Sequence, residues 1–211
     1  MKNVIKRTVC AALTAVSLSA CVVVPSALNT TASKTALVNS IEAEAAFSPF
    51  YGTISILGTS LRDRPNGRNI AKLWQFTPVY VTDETRVGRN YWYKVKTPDG
   101  EGWVNGRYVD KCSTEEYIIR SKFAEGKRIA FVTARKGIGC KKSPSMNAAS
   151  AGTIWFMGTA EIERIWPTSS DGIVWAQLTD GSFLPLTNGK SMNSVDLMTK
   201  EQAARMRSLY Y

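Results

Sequence analysis

The sequence of 211 residues contains no histidine. This absence excludes catalytic pairs and triads in which an imidazole activates a serine or a cysteine, and it excludes zinc sites with imidazole ligands. Cysteine is also scarce, and only Cys112 and Cys140 lie beyond the N-terminal segment. Two thiols cannot form a four-thiolate zinc site. We therefore expect neither a metal nor a cofactor.

Acidic residues are outnumbered by basic ones, 17 against 27, which gives a formal net charge of +10. Four of the basic and two of the acidic residues lie within the first 45, so the remainder carries +8. Such a charge favours anionic polymers or headgroups as partners, or serves solubility alone. The carboxylates near predicted turns lack the flanking signature of a glycosidase, so we expect no enzyme.

The first 45 residues have the pattern of an export signal followed by a spacer. Three basic residues, the last of them Arg7, precede an uncharged apolar run over residues 8–28, which is typical of bacterial export signals. The run is about long enough to span a bilayer, so a retained membrane helix is the alternative. We expect an exported protein.

The cleavage site has two candidates. The segment "LSAC", which ends at Cys21, resembles the lipobox of bacterial lipoproteins and predicts lipidation of Cys21. The triplet Ala43-Glu44-Ala45 is the alternative site. The first predicts a lipoprotein of the cell envelope, attached to the membrane through the lipid alone, and the second a secreted protein. An oxidising compartment would also permit a disulfide between Cys112 and Cys140.

Residues 51–110 read as short β-strands separated by turns. The turn signals are Pro65-Asn66-Gly67 and Asp99-Gly100, and the strands between them predict a small β-barrel. Alternation in "YWYKVK" places Trp92 with Lys94 on the solvent side and Tyr93 on the core side. We therefore expect Trp92 to be exposed.

Two helices are predicted outside this region. In residues 111–127, Ser113 and Glu116 form a capping-box pattern and Gly126 is a stop signal, which predicts a linker helix over 114–124. The tail, residues 190–211, has apolar residues at helical spacing, with Ser194 as the candidate N-cap.

Residues 128–189 repeat the pattern of residues 51–110, which indicates an internal duplication. The matching features lie 79 to 83 residues apart. They are Pro65 with Pro144, Asp99-Gly100 with Asp180-Gly181, and Trp92 with Trp175.

The motifs of the first repeat resemble those of the bacterial SH3-like domain family. The matching elements are Leu61, Arg64 and Pro65, then Trp92 to Val95, and finally the closing Gly102-Trp103-Val104. In the second repeat Phe183-Leu184-Pro185 stands in place of the closing motif. The resemblance implies a mainly β protein with two small SH3-like barrels in tandem, a short linker helix and a C-terminal helix.

The resemblance also implies a non-catalytic binding role in the cell envelope, with peptidoglycan or another anionic wall polymer as the ligand. A protein–protein assembly subunit without carbohydrate affinity is the alternative, and export argues against a nucleic-acid partner. The candidate ligand-binding residues are basic or aromatic side chains near the predicted turns. They are Arg62, Arg64, Trp92, Arg107 and Tyr108, with Lys141 and Lys142 in the matching loop of the second repeat.

Overall fold

The computed structural model describes residues 47–209, so the predicted export signal, the spacer and Cys21 lie outside the described residues. The fold is mainly β, with two seven-stranded antiparallel sheets and two α-helices. In the part that is described, neither helix has the length and apolar character needed to cross a membrane.

The first sheet has the strand order β3-β2-β6-β5-β4-β1-β7. Its core is made of aliphatic side chains such as Leu61, Val95 and Val104. Strands β3 and β7 remain at the two ends of this order, so the sheet does not close into the barrel that the sequence predicts. The strands are β1 (Phe50–Ile54), β2 (Thr59–Arg62), β3 (Asn69–Leu73), β4 (Pro78–Val87), β5 (Asn90–Thr97), β6 (Gly100–Asn105) and β7 (Val109–Lys111).

The second sheet has the order β10-β9-β13-β12-β11-β8-β14, which is the order of the first sheet shifted by seven strands. Its core includes Cys140, Leu178 and Leu184. The chain therefore contains the same open topology twice. The strands are β8 (Ile129–Val132), β9 (Ile138–Lys141), β10 (Ser150–Ile154), β11 (Thr159–Ile165), β12 (Trp175–Leu178), β13 (Phe183–Pro185) and β14 (Val195–Met198).

The two sheets also share a β-bulge, which fixes the residue-by-residue correspondence between them. In the first sheet the register of β4 against β5 shifts between Val81 and Asp83. In the second sheet the register of β11 against β12 shifts between Ile162 and Arg164. Because a bulge disturbs one position of a ladder, its recurrence 81 residues later aligns the two hairpins.

This register corrects one detail of the sequence alignment. Trp103 pairs with Lys94, and Phe183 pairs with Gln177, which is the counterpart of Lys94. Phe183 is therefore the counterpart of Trp103. The second repeat closes with Ser182-Phe183-Leu184, one residue earlier than the pattern predicts.

Helix α1 (Thr114–Ala124) has the predicted bounds. The hydroxyl of Ser113 accepts a hydrogen bond from the backbone N–H of Glu116 at 3.1 Å, as an N-cap does. The helix ends where Gly126, with φ of +83°, donates its N–H to the carbonyl of Phe123 at 3.1 Å. This is the glycine stop that the sequence indicates.

Helix α1 contacts both sheets. The ring of Tyr117 stacks on Tyr51 of β1 with ring centroids 4.3 Å apart, and Ile119 is part of the second sheet's core. Glu116 and Arg120 form a buried ion pair at 2.8 Å. The Arg120 guanidinium also donates to the carbonyl of Trp166 at 3.2 Å, beyond β11. The linker helix is thus packed between the two repeats.

The C-terminal prediction is wrong in its first part. Residues 195–198 form β14, which pairs with β8, because alternate side chains of this segment, Val195 and Leu197, are buried in the core. Helix α2 begins later and covers Lys200–Ser208. Its N-cap is Thr199, which forms a reciprocal capping box with Gln202, so Ser194 is not the cap.

Candidate ligand-binding site

Trp92 is buried, with 4% of its surface exposed, so the prediction of an exposed Trp92 is wrong. The strand alternation itself holds, because Lys94 is exposed and Val95 lies in the core. Trp92 shares the face of Lys94, which we call the outer face of the first sheet. Its burial comes from residues that cover it on that face and not from the hydrophobic core.

These covering residues surround a cavity of about 510 Å³, here called the Trp92 cavity. Its lining combines a polar part rich in asparagine with apolar residues of the β1–β2 loop. The lining residues are Ile56, Leu57, Gly58, Thr59, Ser60, Arg62, Asn66, Asn90, Trp92, Asn105 and Tyr108.

Arg62 is held over Trp92 by the close approach of β2 and β6. A Cβ atom at Gly102 of β6 would lie 2.6 Å from the Arg62 carbonyl oxygen, so only glycine permits this approach. The guanidinium of Arg62 donates to the carbonyl of Gly67 at 2.5 Å. Its Cζ lies 5.9 Å from the centre of the Trp92 ring, within the range of a cation–π contact.

The other end of the cavity is built by a one-turn 3₁₀ helix, Gly106–Tyr108. Asn105 caps this turn, since its side-chain oxygen accepts from the backbone N–H of Arg107 at 3.2 Å. The guanidinium of Arg107 lies over the ring of Tyr108, with Cζ 5.3 Å from the ring centre. The cap therefore places an aromatic ring at the cavity and a second arginine beside it.

The indole N–H of Trp92 has no hydrogen-bond partner, and among the described residues it is the only buried side-chain polar atom in this condition. Leaving a buried donor unpaired costs about 1–3 kcal/mol. The nitrogen itself is covered by protein atoms, so a ligand oxygen would reach it only if the residues that cover Trp92 moved.

The outer face of the second sheet is filled instead. Trp175, the counterpart of Trp92, is fully buried, and its indole donates to the Ser169 hydroxyl at 3.2 Å. It belongs to an apolar cluster with Ile173 and Phe183, against which Trp166 packs. The rings of Trp166 and Phe183 are 5.6 Å apart in an edge-to-face arrangement.

The structure brings three of the predicted residues together at the Trp92 cavity, namely Arg62, Trp92 and Tyr108. Arg107 joins them through its contact with Tyr108. Arg64 is exposed in the adjacent turn but does not line the cavity.

Lys141 is the last residue of β9 in the second sheet and Lys142 directly follows it, and neither lines this cavity. Lys141 pairs with Phe183 as Arg62 pairs with Trp103, so it is the counterpart of Arg62. Its amine donates to the carbonyl of Ala148 at 3.2 Å.

Sequence reasoning missed the three asparagines of the Trp92 cavity. Asn66 has φ of +56° at the predicted turn, so its position in a turn was readable from the sequence. Asn105 was also detectable as a cap, because it precedes Gly106 at a strand exit. Asn90 carries no local signal, since only the strand register brings it to the cavity.

The two thiols are free, so the disulfide that the sequence permits is not formed. Cys140 lies on β9, at the position that Leu61 occupies on β2 of the first sheet, and its side chain is buried in the core. Burial raises the pKa of the Cys112 thiol to about 12, with a smaller contribution from the Glu116 carboxylate. Both environments favour inert, protonated thiols.

No group of three or more cysteine, aspartate or glutamate side chains suited to a metal ion occurs within residues 47–209. Comparison with models of known protein families found no match, and comparison with curated proteins found none either.

Proposed function

We propose that this protein is a non-catalytic binding protein of the bacterial cell envelope, exported and either lipid-anchored or secreted. In this proposal the two sheets are divergent SH3-like modules in tandem, and the first binds peptidoglycan or another anionic wall polymer through the Trp92 cavity. The observation that carries the proposal is the polar cavity of about 510 Å³ in which the Arg62 guanidinium lies over the ring of Trp92.

The chemistry of the cavity fits such a polymer. Arg62 offers a planar guanidinium suited to a carboxylate. The side-chain amides of Asn66, Asn90 and Asn105 both donate and accept, as hydroxyl and amide groups of a ligand require. A ligand that carries carboxylates, amides and hydroxyls could use both kinds of group.

The test is co-sedimentation of the protein with purified peptidoglycan at low and at high salt. We expect sedimentation that weakens with salt, since Arg62 and Arg107 contribute charge. Arg62→Gln should raise the dissociation constant by about tenfold, as the loss of one charge-assisted hydrogen bond does. Lys141→Gln, at the equivalent position of the second sheet, is the matched control and should leave binding unchanged. Absence of sedimentation at both salt concentrations, or equal losses in the two variants, would contradict the proposal.

An assembly subunit without carbohydrate affinity is the second candidate. It is favoured by exposed apolar side chains at the rim of the first sheet, where Ile56, Leu57 and Trp74 are each more than half exposed. Exposed apolar groups next to one another are typical of protein contacts. An affinity pull-down from envelope extract, combined with a negative peptidoglycan assay, would favour this candidate.

A further inference from the structure

A second cavity, of about 640 Å³, lies where the two sheets meet helix α1, and we call it the arginine cleft. Phe76 and Pro78 of the first repeat form one wall, Phe123 of α1 another, and Ile165 and Trp166 of the second repeat the third. Most of the lining is therefore apolar, and the volume is typical of ligand sites. The Trp92 cavity shares none of these residues.

Three arginines project into this apolar setting. Arg120 is buried, lies over the ring of Phe76 and is neutralised by its ion pair with Glu116. The other two, Arg128 and Arg164, have exposed side chains. Neither takes part in an ion pair within the described part of the chain.

The two exposed guanidinium groups are oriented by aromatic rings. The Cζ of Arg128 lies 4.6 Å from the centre of Phe123, and the Cζ of Arg164 lies 5.5 Å from the centre of Trp166. Stacking of this kind holds the planar group over the ring and leaves its N–H groups free to bind an anion. One carboxylate, Asp99, also lines the cleft, and it forms no ion pair in the described residues.

We propose that the arginine cleft binds an acidic peptide segment of a partner protein. An apolar or aromatic side chain of the segment fills the cleft, and flanking carboxylates pair with Arg128 and Arg164. Charge complementarity argues for the acidic segment, because both guanidinium groups lack a carboxylate partner. The clustering of tryptophan and arginine argues for a protein, because these residues dominate the energetic centres of protein interfaces.

This site is independent of the Trp92 cavity, so it does not rest on wall binding. A polymer rich in hydroxyl groups would leave the apolar lining of the arginine cleft without a partner. A fatty-acid anion would satisfy both the lining and the charge, and it is the competitor that the test must separate from a peptide.

The experiment is a selection of short random peptides displayed on phage, with the purified protein as bait. The double variant Arg128→Gln/Arg164→Gln serves for counter-selection. The best selected peptide is then titrated by fluorescence anisotropy, beside an analogue with Asn and Gln in place of Asp and Glu. Dodecanoate is added as a competitor. The variant Arg135→Gln is the matched control, since Arg135 is exposed on the second repeat but does not line the cleft.

We expect enrichment of sequences with acidic residues beside an aromatic or aliphatic one. The double variant should bind the selected peptide at least about tenfold more weakly, and Arg135→Gln should bind it normally. Trp74→Ala, at the rim of the cleft, should also weaken binding, whereas Trp155→Ala should not. These two tryptophans are comparably exposed, at 70% and 68%.

Three results would overturn the proposal. The first is a selection that enriches no acidic sequences. The second is equal binding of the peptide and its uncharged analogue, and the third is unchanged binding of the peptide by the double variant. A dodecanoate anion that binds through the two arginines when no peptide does would assign the cleft to a lipid instead. Matching thermal unfolding of the variants and the parent protein is the folding control.

Discussion

The outer faces of the two sheets share one scaffold but differ in character at two of the three matched places around the central tryptophan. Around Trp92 the first sheet has Thr85 on the neighbouring strand, Trp103 partly exposed and Asn90 two residues before the tryptophan. Around Trp175 the second sheet has large apolar side chains at the matching places. These are Trp166, Phe183 and Ile173.

The difference shows how a repeated unit can be either closed or open without any change of topology. Trp166, Phe183 and Ile173 seal the second outer face, and Ser169 satisfies the indole donor of Trp175. Of the three counterparts in the first sheet, only Asn90 lines the Trp92 cavity, and the indole donor of Trp92 has no partner. Under the proposed function, the second sheet serves as a scaffold and the first as the binding surface.

The largest expected effect on the free energy of unfolding comes from the buried ion pair of helix α1. Glu116→Gln breaks the buried ion pair with Arg120 and should lower the free energy of unfolding by about 3–5 kcal/mol.

We expect one transition in urea for the parent protein, because α1 contacts both sheets. Two well-separated transitions in the parent protein would show that the sheets are independent.

The next prediction compares the stability costs of replacing the two equivalent tryptophans by phenylalanine. Trp175→Phe removes a satisfied indole from a filled cluster and should cost about 1–3 kcal/mol. Trp92→Phe removes an unsatisfied donor, so its cost in urea unfolding should be smaller. Equal costs would mean that the hydrogen bond of Trp175 and the missing one of Trp92 make no difference to stability.

A pH series tests the thiol at the junction between the first sheet and α1. The folded state holds the pKa of Cys112 at about 12, above the value of about 9 for a free thiol. The unfolded chain therefore loses this proton first, and the free energy of unfolding should fall as pH rises from 9 towards 12. Below pH 9 the thiol should contribute no slope. Cys112→Ala should flatten this part of the profile measured by urea unfolding.

The smallest expected effect on stability comes from making the first outer face resemble the second. Asn90→Ile introduces the apolar residue found at the matching position of the second sheet. Because Asn90 is exposed, the free energy of unfolding should change by no more than about 0.5 kcal/mol. Peptidoglycan sedimentation should nevertheless weaken, and unchanged sedimentation would remove Asn90 from the site.

Local signals predicted a substantial part of the fold. The bounds of α1 followed from its cap and its glycine stop, and the repeat followed from spaced turns and tryptophans. Strand β14 was misread as helix because the apolar spacing of Val195 and Met198 fits a helix as well as a strand. Only pairing with β8 decides between them.

The burial of Trp92 could not be predicted from β5 alone. Alternation assigned its face correctly. The residues that cover that face are Arg62 and those of the β1–β2 loop, which are distant from Trp92 in sequence. The same holds for the left-handed backbone of Phe76 and Met157, at matching places in the two repeats. Their N–H groups bond to Ile54 and Val132, so tertiary contacts fix these turns.

The filled outer face of the second sheet has a consequence for valency. Under the proposed function, a molecule with one cavity-bearing repeat and one sealed repeat engages one segment of an extended polymer at a time. It then gains no avidity from its internal repeat and cannot bridge two strands. Such a molecule would decorate a polymer network without crosslinking it, and the density of attachment would follow the single-site affinity and the supply of protein.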